Sequence, residues 1–419
     1  MVAWGPHGSC IRAHARYQWR CKPCSMRKGM TMTEQRLRFG VFLPPYHAPR
    51  ENPHLALHRD LWLAEHLDRL GYDELWIGEH HSAAFETIGP PEMFIATAAE
   101  RTRHIRLGTG VVSLPYHTPL MLAERINYLD HVTRGRVMFG VGPGALPSDA
   151  MMQGIPIDAL RPRMDEAITA LDLLLRGEVV TMETEWFTLK DARLQMLPYT
   201  QPRVEMAVAS LVSPSGATAA GKHGIGMLSF QALGADAFKS LASNWAMAEE
   251  TAAKHGKTVD RANWRLVIQV HLAETREQAV RDCRFGLEPW IGYFRDVAQL
   301  PIVPEGLATE DLVDAYAKLD VAVIGTPDDA IATIEKLIAE TGGFGCLMLL
   351  AHNWAGTAET AKSYELFQRY VVPHFQRLNT NRQASMDWVI KVRGELATQT
   401  RVAIEQRFAQ HAAEAGEGG

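Results

Sequence analysis

The stretch ELWIGEHHSAAF, residues 74–85, carries an apolar run straight into a glycine, an acid and two adjacent histidines. A short apolar run that breaks into polar groups reads as a buried strand emerging at an edge of the molecule. The pattern repeats on both sides of it. Strands are predicted at LRFGVFL (37–43), IRLGTGVVSL (105–114), GRVMFGVG (135–142), VEMAVAS (204–210), GIGMLSF (224–230), WRLVIQVHLAE (264–274) and FGCLMLL (344–350). Helical periodicity falls between them, over LALHRDLWLAEHLDRLG, near 91–103, from Pro119 to about His131, from Arg161 to about Leu175, over DDAIATIEKLIAET and through Tyr364–Val371. Near-continuous Val/Ile/Leu strands separated by helices imply a parallel sheet covered on its outer face. Eight such units predict an α/β fold, a closed (β/α)8 TIM barrel. An open doubly wound sheet would carry a phosphate fingerprint after its first strand, and no G-x-G-x-x-G follows LRFGVFL. Segments 177–203 and roughly 285–325 are too long for barrel loops and read as insertions at the active-site rim.

Chemistry in such a barrel sits on the loops after the strands' C-terminal ends, where His80 and His81 fall. Side chains alternate along a strand, so Trp76, Gly78 and His80 share one parity and Leu75, Ile77 and Glu79 the other. With the aliphatic set against the helices, His80 looks into the barrel mouth. Taken by itself, His80 could equally be a rim histidine with a satisfied hydrogen bond. The same alternation makes His80 and His81 diverge. With no H-E-x-x-H on a helix either, no metal site is predicted.

With 419 residues, 47% of them hydrophobic and 22% charged, the chain can bury a large core. A net charge of −5 gives no general pull toward nucleic acid or anionic membranes. No apolar run reaches the ~18–20 residues of a membrane span, and five cysteines suit a reducing compartment rather than a disulfide framework. A cytoplasmic protein is expected. Residues 1–33 differ, holding six Lys/Arg, no acid and three cysteines. They read as a disordered leader upstream of a start at Met30 or Met32, ahead of a barrel over 34–376. Beyond 377, Trp388, Val392, Leu396, Ile404 and Phe408 recur at helical spacing. They predict an amphipathic helix docked on the barrel or on a partner subunit, followed by a disordered end.

From about residue 37 to 376 the chain resembles the bacterial luciferase-like, flavin-dependent monooxygenase superfamily. The resemblance rests on FGVFLPP, GYDELWIGEHH, RLGTGVVSLPYHTP, AERINYLDHVTRGRVMFGVGPG, SPSG at 213–216 and GTPDDAIATIEKLIAETG. Within the superfamily, SPSG and the Trp388-bearing tail resemble the limonene monooxygenase-like branch. The resemblance implies that His80, first of the His-His pair, lies by a reduced flavin and takes part in proton transfer. It implies a non-proline cis peptide at Gly110–Val111 supporting the flavin ring, with Thr109 and Gly142 beside it. The luciferase-type arginine past the fourth strand is replaced by Pro143, while an arginine opening the next helix survives as Arg161. Ser213, Ser215 and Gly216 open a helix whose N-terminal N–H groups suit the FMN phosphate. Tyr46, Phe85 and Met151 are candidate walls of an apolar substrate pocket, each as readily ordinary core. Glu124, Arg125, Asn127 and Asp130 are read as ties between their helix and the barrel.

The resemblance further implies an FMN-dependent monooxygenase. Reduced FMN, supplied by a separate NAD(P)H:flavin reductase, would react with O2 to a C4a-hydroperoxide and oxygenate a small apolar substrate. A monoterpene, a cyclic ketone or an aldehyde would each suit, and a homodimer is expected. His80, with an ordinary value near 6.5, would hold or release a proton near neutral pH. The alternatives are a deazaflavin-dependent oxidoreductase on the same barrel and a non-catalytic flavin-binding relative.

Overall fold

The structure, a computed structural model, describes residues 36–44, 46–211, 214–230, 235–297, 312–319 and 321–416. The predicted leader 1–33 lies outside the described residues. Twelve strands occur among those described: β1 (Arg38–Leu43), β2 (Glu74–Ile77), β3 (Arg106–Thr109), β4 (Val112–Ser113), β5 (Val137–Gly142), β6 (Val180–Glu183), β7 (Thr188–Ala192), β8 (Met206–Ser210), β9 (Gly226–Ser229), β10 (Trp264–Leu272), β11 (Ala322–Gly325) and β12 (Cys346–Leu350). Parallel pairing runs β1–β2–β3–β5–β8–β9–β10–β12 and returns to β1. The eight predicted strands therefore close into the expected barrel. The third is interrupted at Gly110–Val111, leaving β3 and β4 both paired with β5. β11 is an additional strand beside the upper half of β10.

Alternation along the strands sorts two cores. Phe42, Trp76, Met138, Ala207, Leu228, Val267, Cys346 and Met348 fill the barrel. Val41, Leu43, Leu75, Ile77, Leu107, Val137, Phe139, Val208, Leu266 and Leu349 pack outward under the helices. The parity assigned to Trp76 against Leu75 and Ile77 thus holds. Helices Pro53–Leu70, Pro91–Arg101, Pro119–Thr133, Leu160–Leu174 and Pro327–Thr341 each fall within a few residues of their predicted spans, while Thr357–Leu366 begins before the predicted Tyr364–Val371 and hands over to a further helical turn, Phe367–Val371. Four of these begin on proline, whose missing N–H costs nothing at the first helical position.

Two expectations need correcting. Residues 180–192 form the antiparallel β6–β7 hairpin, which is rooted between a helix and the following strand, at the opposite end of the barrel from His80. It lies along the outer helix Leu160–Leu174, with Trp186 Nε1 donating to Glu166 at 2.7 Å and Arg163 over the Trp186 ring. It is a lateral buttress, not part of the rim. The tail forms a single helix, Thr380–Gly416, with no buried residue. Nothing among the described residues covers Trp388 or Phe408, 58% and 74% exposed, so the helix is not docked on the barrel. It runs to residue 416; residues 417–419 lie outside the described residues. No helix is long and apolar enough to cross a membrane among the described residues.

Candidate active site

His80 follows β2 at the C-terminal end of the barrel. Its Nδ1 lies 3.0 Å from Asp149 Oδ2, on the short helix Pro147–Met152 after β5. To meet that acid the ring leans across the ends of β3 and β4, which separate β2 from β5. Its Nε2 lies 3.4 Å from Glu86 Oε2. Both carboxylates are nearly buried, and the imidazole is 15% exposed. Burial disfavours the charged ring, but Glu86, Asp149 and Glu79 together outweigh it and push its pKa up to about 9. His80 is therefore imidazolium at neutral pH, unlike the freely exchanging base expected from an ordinary histidine.

Asp149 is fixed in turn. Its Oδ1 accepts from the Ser82 hydroxyl at 2.5 Å and from the His81 amide at 3.1 Å. Burial raises its pKa, and the bonds from His80 and Ser82 reverse the effect, so the group stays ionised. A second network lies behind. Buried Glu79 accepts from His81 Nε2 and His117 Nε2, each at 3.0 Å, and from the Ser113 amide at 3.3 Å. Glu79, His81 and His117 have the composition of a metal site. Arg125 decides against it by donating to His117 Nδ1 at 3.2 Å. That nitrogen must keep its lone pair, so the proton sits on Nε2, where a metal would have to bind.

At the broken third strand the Gly110–Val111 peptide is cis, as the resemblance implied. A Cβ at Gly110 would fall 2.8 Å from the Phe42 ring and 2.9 Å from Trp76 Cβ, so only glycine fits against that wall. Thr109 is not available as a side-chain ligand. It is fully buried, and its hydroxyl bonds both N–H and C=O of Gly140 at 2.9 and 2.8 Å. A continuous surface leads from Val111 across three neighbouring strands. A Cβ on Gly142 would sit 2.5 Å from Val111 Cγ2 and 3.7 Å from Ala209 Cβ, and one on Gly216 would sit 2.4 Å from the Ala209 carbonyl. Gly216 belongs to the helix Ser215–His223. Arg161 and Ser215 line one cavity of about 390 Å³ at that helix. An apolar wall of Phe42 and Val111, backed by the fully buried Trp76, thus leads to a helix N-terminus with an arginine beside it. That is a fit for a flavin ring at one end and its phosphate at the other. Ser213 lies outside the described residues.

Tyr46 and Phe85 stack at 5.2 Å, and both meet Tyr293, at 5.8 and 4.7 Å. Met151 is a correction: it is 82% exposed and walls no pocket, because its helix turns the buried side, Asp149 and Ala150, toward the site. Arg125, Asn127 and Asp130 do tie their helix down, bonding Glu92, the Met196 carbonyl and Thr200. Asp149, Glu86, Tyr293 and His117 were missed by sequence reasoning. For Glu86 and Asp149, the available signal was an acid on a loop after a barrel strand.

A family profile described as "Luciferase-like monooxygenase" matches residues 37–344. Limonene 1,2-monooxygenase of Rhodococcus erythropolis is 45% identical over 369 residues, covering 85% of this chain and 94% of that one. 4-Hydroxyprotoasukamycin monooxygenase of Streptomyces nodosus subsp. asukaensis is 44% identical over 361 residues, covering 85% and 96%. Among solved structures, the oxygenating constituent of 3,6-diketocamphane monooxygenase from Pseudomonas putida, in complex with FMN, superposes with a TM-score of 0.66 at 25% identity. It covers 81% of this chain and 99% of its own.

Proposed function

The chain belongs to the luciferase-like monooxygenase family, and from that premise we propose that it uses reduced FMN and O2 to epoxidise a small apolar alkene of the monoterpene class. The observation that carries this reading is His80, clamped between two carboxylates at the C-terminal end of the barrel. When bound, reduced flavin supplies the oxygen-activating chemistry. Arg161, Ser215 and Gly216 would hold the phosphate end, and Phe42 and Val111 the ring. The apolar wall excludes water, while His80 keeps a proton at Nε2 and Nδ1 and presents a fixed positive charge. A group that keeps its proton suits delivery of electrophilic oxygen to an alkene better than nucleophilic attack on a carbonyl. The 45% identity to a limonene monooxygenase supports the same choice. Reduced FMN would come from a separate flavin reductase.

The test is a product screen by gas chromatography with a reductase, FMN and parallel panels of monoterpenes, cyclic ketones and aldehydes. Epoxides from the alkenes are expected. Lactones alone, or no oxygen uptake with FMN but turnover with a deazaflavin, would overturn the reading.

Two further results are expected. Arg161→Ala should weaken FMN binding about tenfold, the loss of one charged contact to a phosphate; a flavin fluorescence titration that leaves affinity unchanged would remove Arg161 from the cradle. The pH profile follows from His80. Its folded value is raised, so the protonated form persists below about 9 and is lost as pH rises through that value. Activity in kcat should therefore hold from pH 7 to 8 and fall above about 9. A midpoint near 6.5 would contradict the clamped imidazolium.

A further inference from the structure

We infer that Glu86 is a positioning residue for His80, itself aimed by Tyr293 from the segment inserted between β10 and β11. The inference rests on the reading of His80 as the group acting beside the flavin. Each ring nitrogen faces a carboxylate oxygen, Nδ1 that of Asp149 and Nε2 that of Glu86. A neutral imidazole carries one N–H and one lone pair, so in that form one nitrogen would point a lone pair at an anion. Only the doubly protonated ring satisfies both acids. Asp149 is held by Ser82 and the His81 amide; Glu86 needs its own anchor.

Two contacts provide it. The backbone of Glu86 bridges to Tyr46 on the loop after β1. Its second oxygen, Oε1, accepts from the Tyr293 hydroxyl at 3.0 Å. Tyr293 is 3% exposed, so its hydroxyl requires a partner, and Glu86 is that partner. The Tyr293 ring is wedged against Tyr46 and Phe85. The helix before it plants Trp290 edge-on to Trp354 at 5.1 Å, on the loop after β12. The inserted segment therefore grips the rim through aromatic packing and sends one polar atom inward, to the carboxylate that faces His80 Nε2. The other groups facing His80 are Glu79 and His81 from its own loop, the latter a like charge when protonated, and Asp149 from the helix after β5. Tyr116 stands toward Asp149 and Glu79, and Tyr293 bonds Glu86 and lies within reach of Asp149. Burial and these anions oppose each other at His80, and the anions prevail.

The experiment is an NMR titration of the His80 ring in the full chain without flavin, for wild type, Glu86→Gln, Glu86→Asp and Tyr293→Phe, with pH–rate profiles alongside. Glu86→Gln should lower the His80 midpoint by about one unit or more, a tenfold change in proton affinity, and bring the alkaline limb of kcat down with it. Glu86→Asp keeps the charge but draws it back by one methylene, and should fall between wild type and Gln. Tyr293→Phe should shift the midpoint the same way by less, since the charge remains but is no longer aimed. A midpoint in folded Glu86→Gln, or in Glu86→Asp should Gln not fold, that stays within about 0.3 units of wild type would overturn the assignment. If wild type fails to oxygenate with reduced FMN, the functional reading falls, while the titration still judges Glu86.

Discussion

Replacing His80 with alanine is expected to lower turnover with reduced FMN and O2 by about 10²–10⁴-fold, with FMN affinity changed less than about threefold. The two effects separate because the proposed phosphate cradle lies across three strands from the histidine, at Arg161 and the helix Ser215–His223. His80 touches none of it. Its polar partners are Asp149 and Glu86, and alanine leaves two acids facing each other across a gap. That repulsion could open the rim, so His80→Gln is the necessary companion. Glutamine fills the space and can donate to one acid, but it carries no proton to give. If the imidazolium matters chemically, both variants lose turnover to a similar degree, and only alanine also loosens the rim. Single-turnover oxygen uptake and substrate oxidation check the first loss, and flavin fluorescence the second. Turnover within about twofold of wild type in His80→Gln would show that His80 only shapes the mouth.

Much of this architecture is legible in the residues. The eight barrel strands are readable because each is buried on both faces and so appears as a continuous apolar run. The parity of Trp76 against Leu75 and Ile77 follows from the pleat. What escapes is whatever the closure of the barrel decides. Asp149 stands 69 residues from His80 and Tyr293 207 from Glu86; no local spacing joins them. The charge state of His80 escapes in part for the same reason, since the nearby Glu79 and Glu86 are joined by Asp149 from beyond β5. Periodicity located the tail helix Thr380–Gly416 but not what it packs against, because an apolar stripe carries no address. Met151 shows the converse. An apolar residue on a rim helix reads as a pocket wall until its rotation away from the buried Asp149 and Ala150, about 100° per residue, is known. The described part of the 285–325 insertion meets the rim through Tyr293 and Trp290, whereas the hairpin at 180–192 connects a helix to the next strand and so had to start at the far end.

Arg265→Ala should be the most destabilising single change in the barrel, costing about 3–5 kcal/mol. Arg265 and Glu74 have fully buried side chains at the end of the barrel opposite His80. The guanidinium binds Glu74 through two bonds, at 2.6 and 3.1 Å, and Glu205 at 2.5 Å. It also lies 4.8 Å from the centroid of the Trp76 ring, whose Nε1 donates to Glu74 at 2.8 Å. One cation thus supports both the acids and the aromatic floor beneath the mouth. Arg38, 2.9 Å from Glu74, and Arg106, 2.8 Å from Glu205, remain in the variant and place the loss toward the lower end of that range. The pH dependence identifies the cause. Burial pushes the Glu74 carboxyl up, and Arg265 and Arg38 overcome it, so the folded value is depressed. A depressed group contributes stability above its unfolded value of about 4.3 and loses it as pH falls through the folded one. Without Arg265 the folded value rises, and the variant stabilises as Glu74 takes up a proton. Its deficit should therefore be largest near pH 8 and shrink toward pH 5, whereas a cavity alone would give a deficit independent of pH. Urea unfolding at the two pH values decides between them. Combining Arg265→Met with Glu74→Leu should restore much of the loss by leaving fewer unpaired charges. A deficit that is flat with pH, and a double variant no better than the single, would mean that Arg265 serves by filling space.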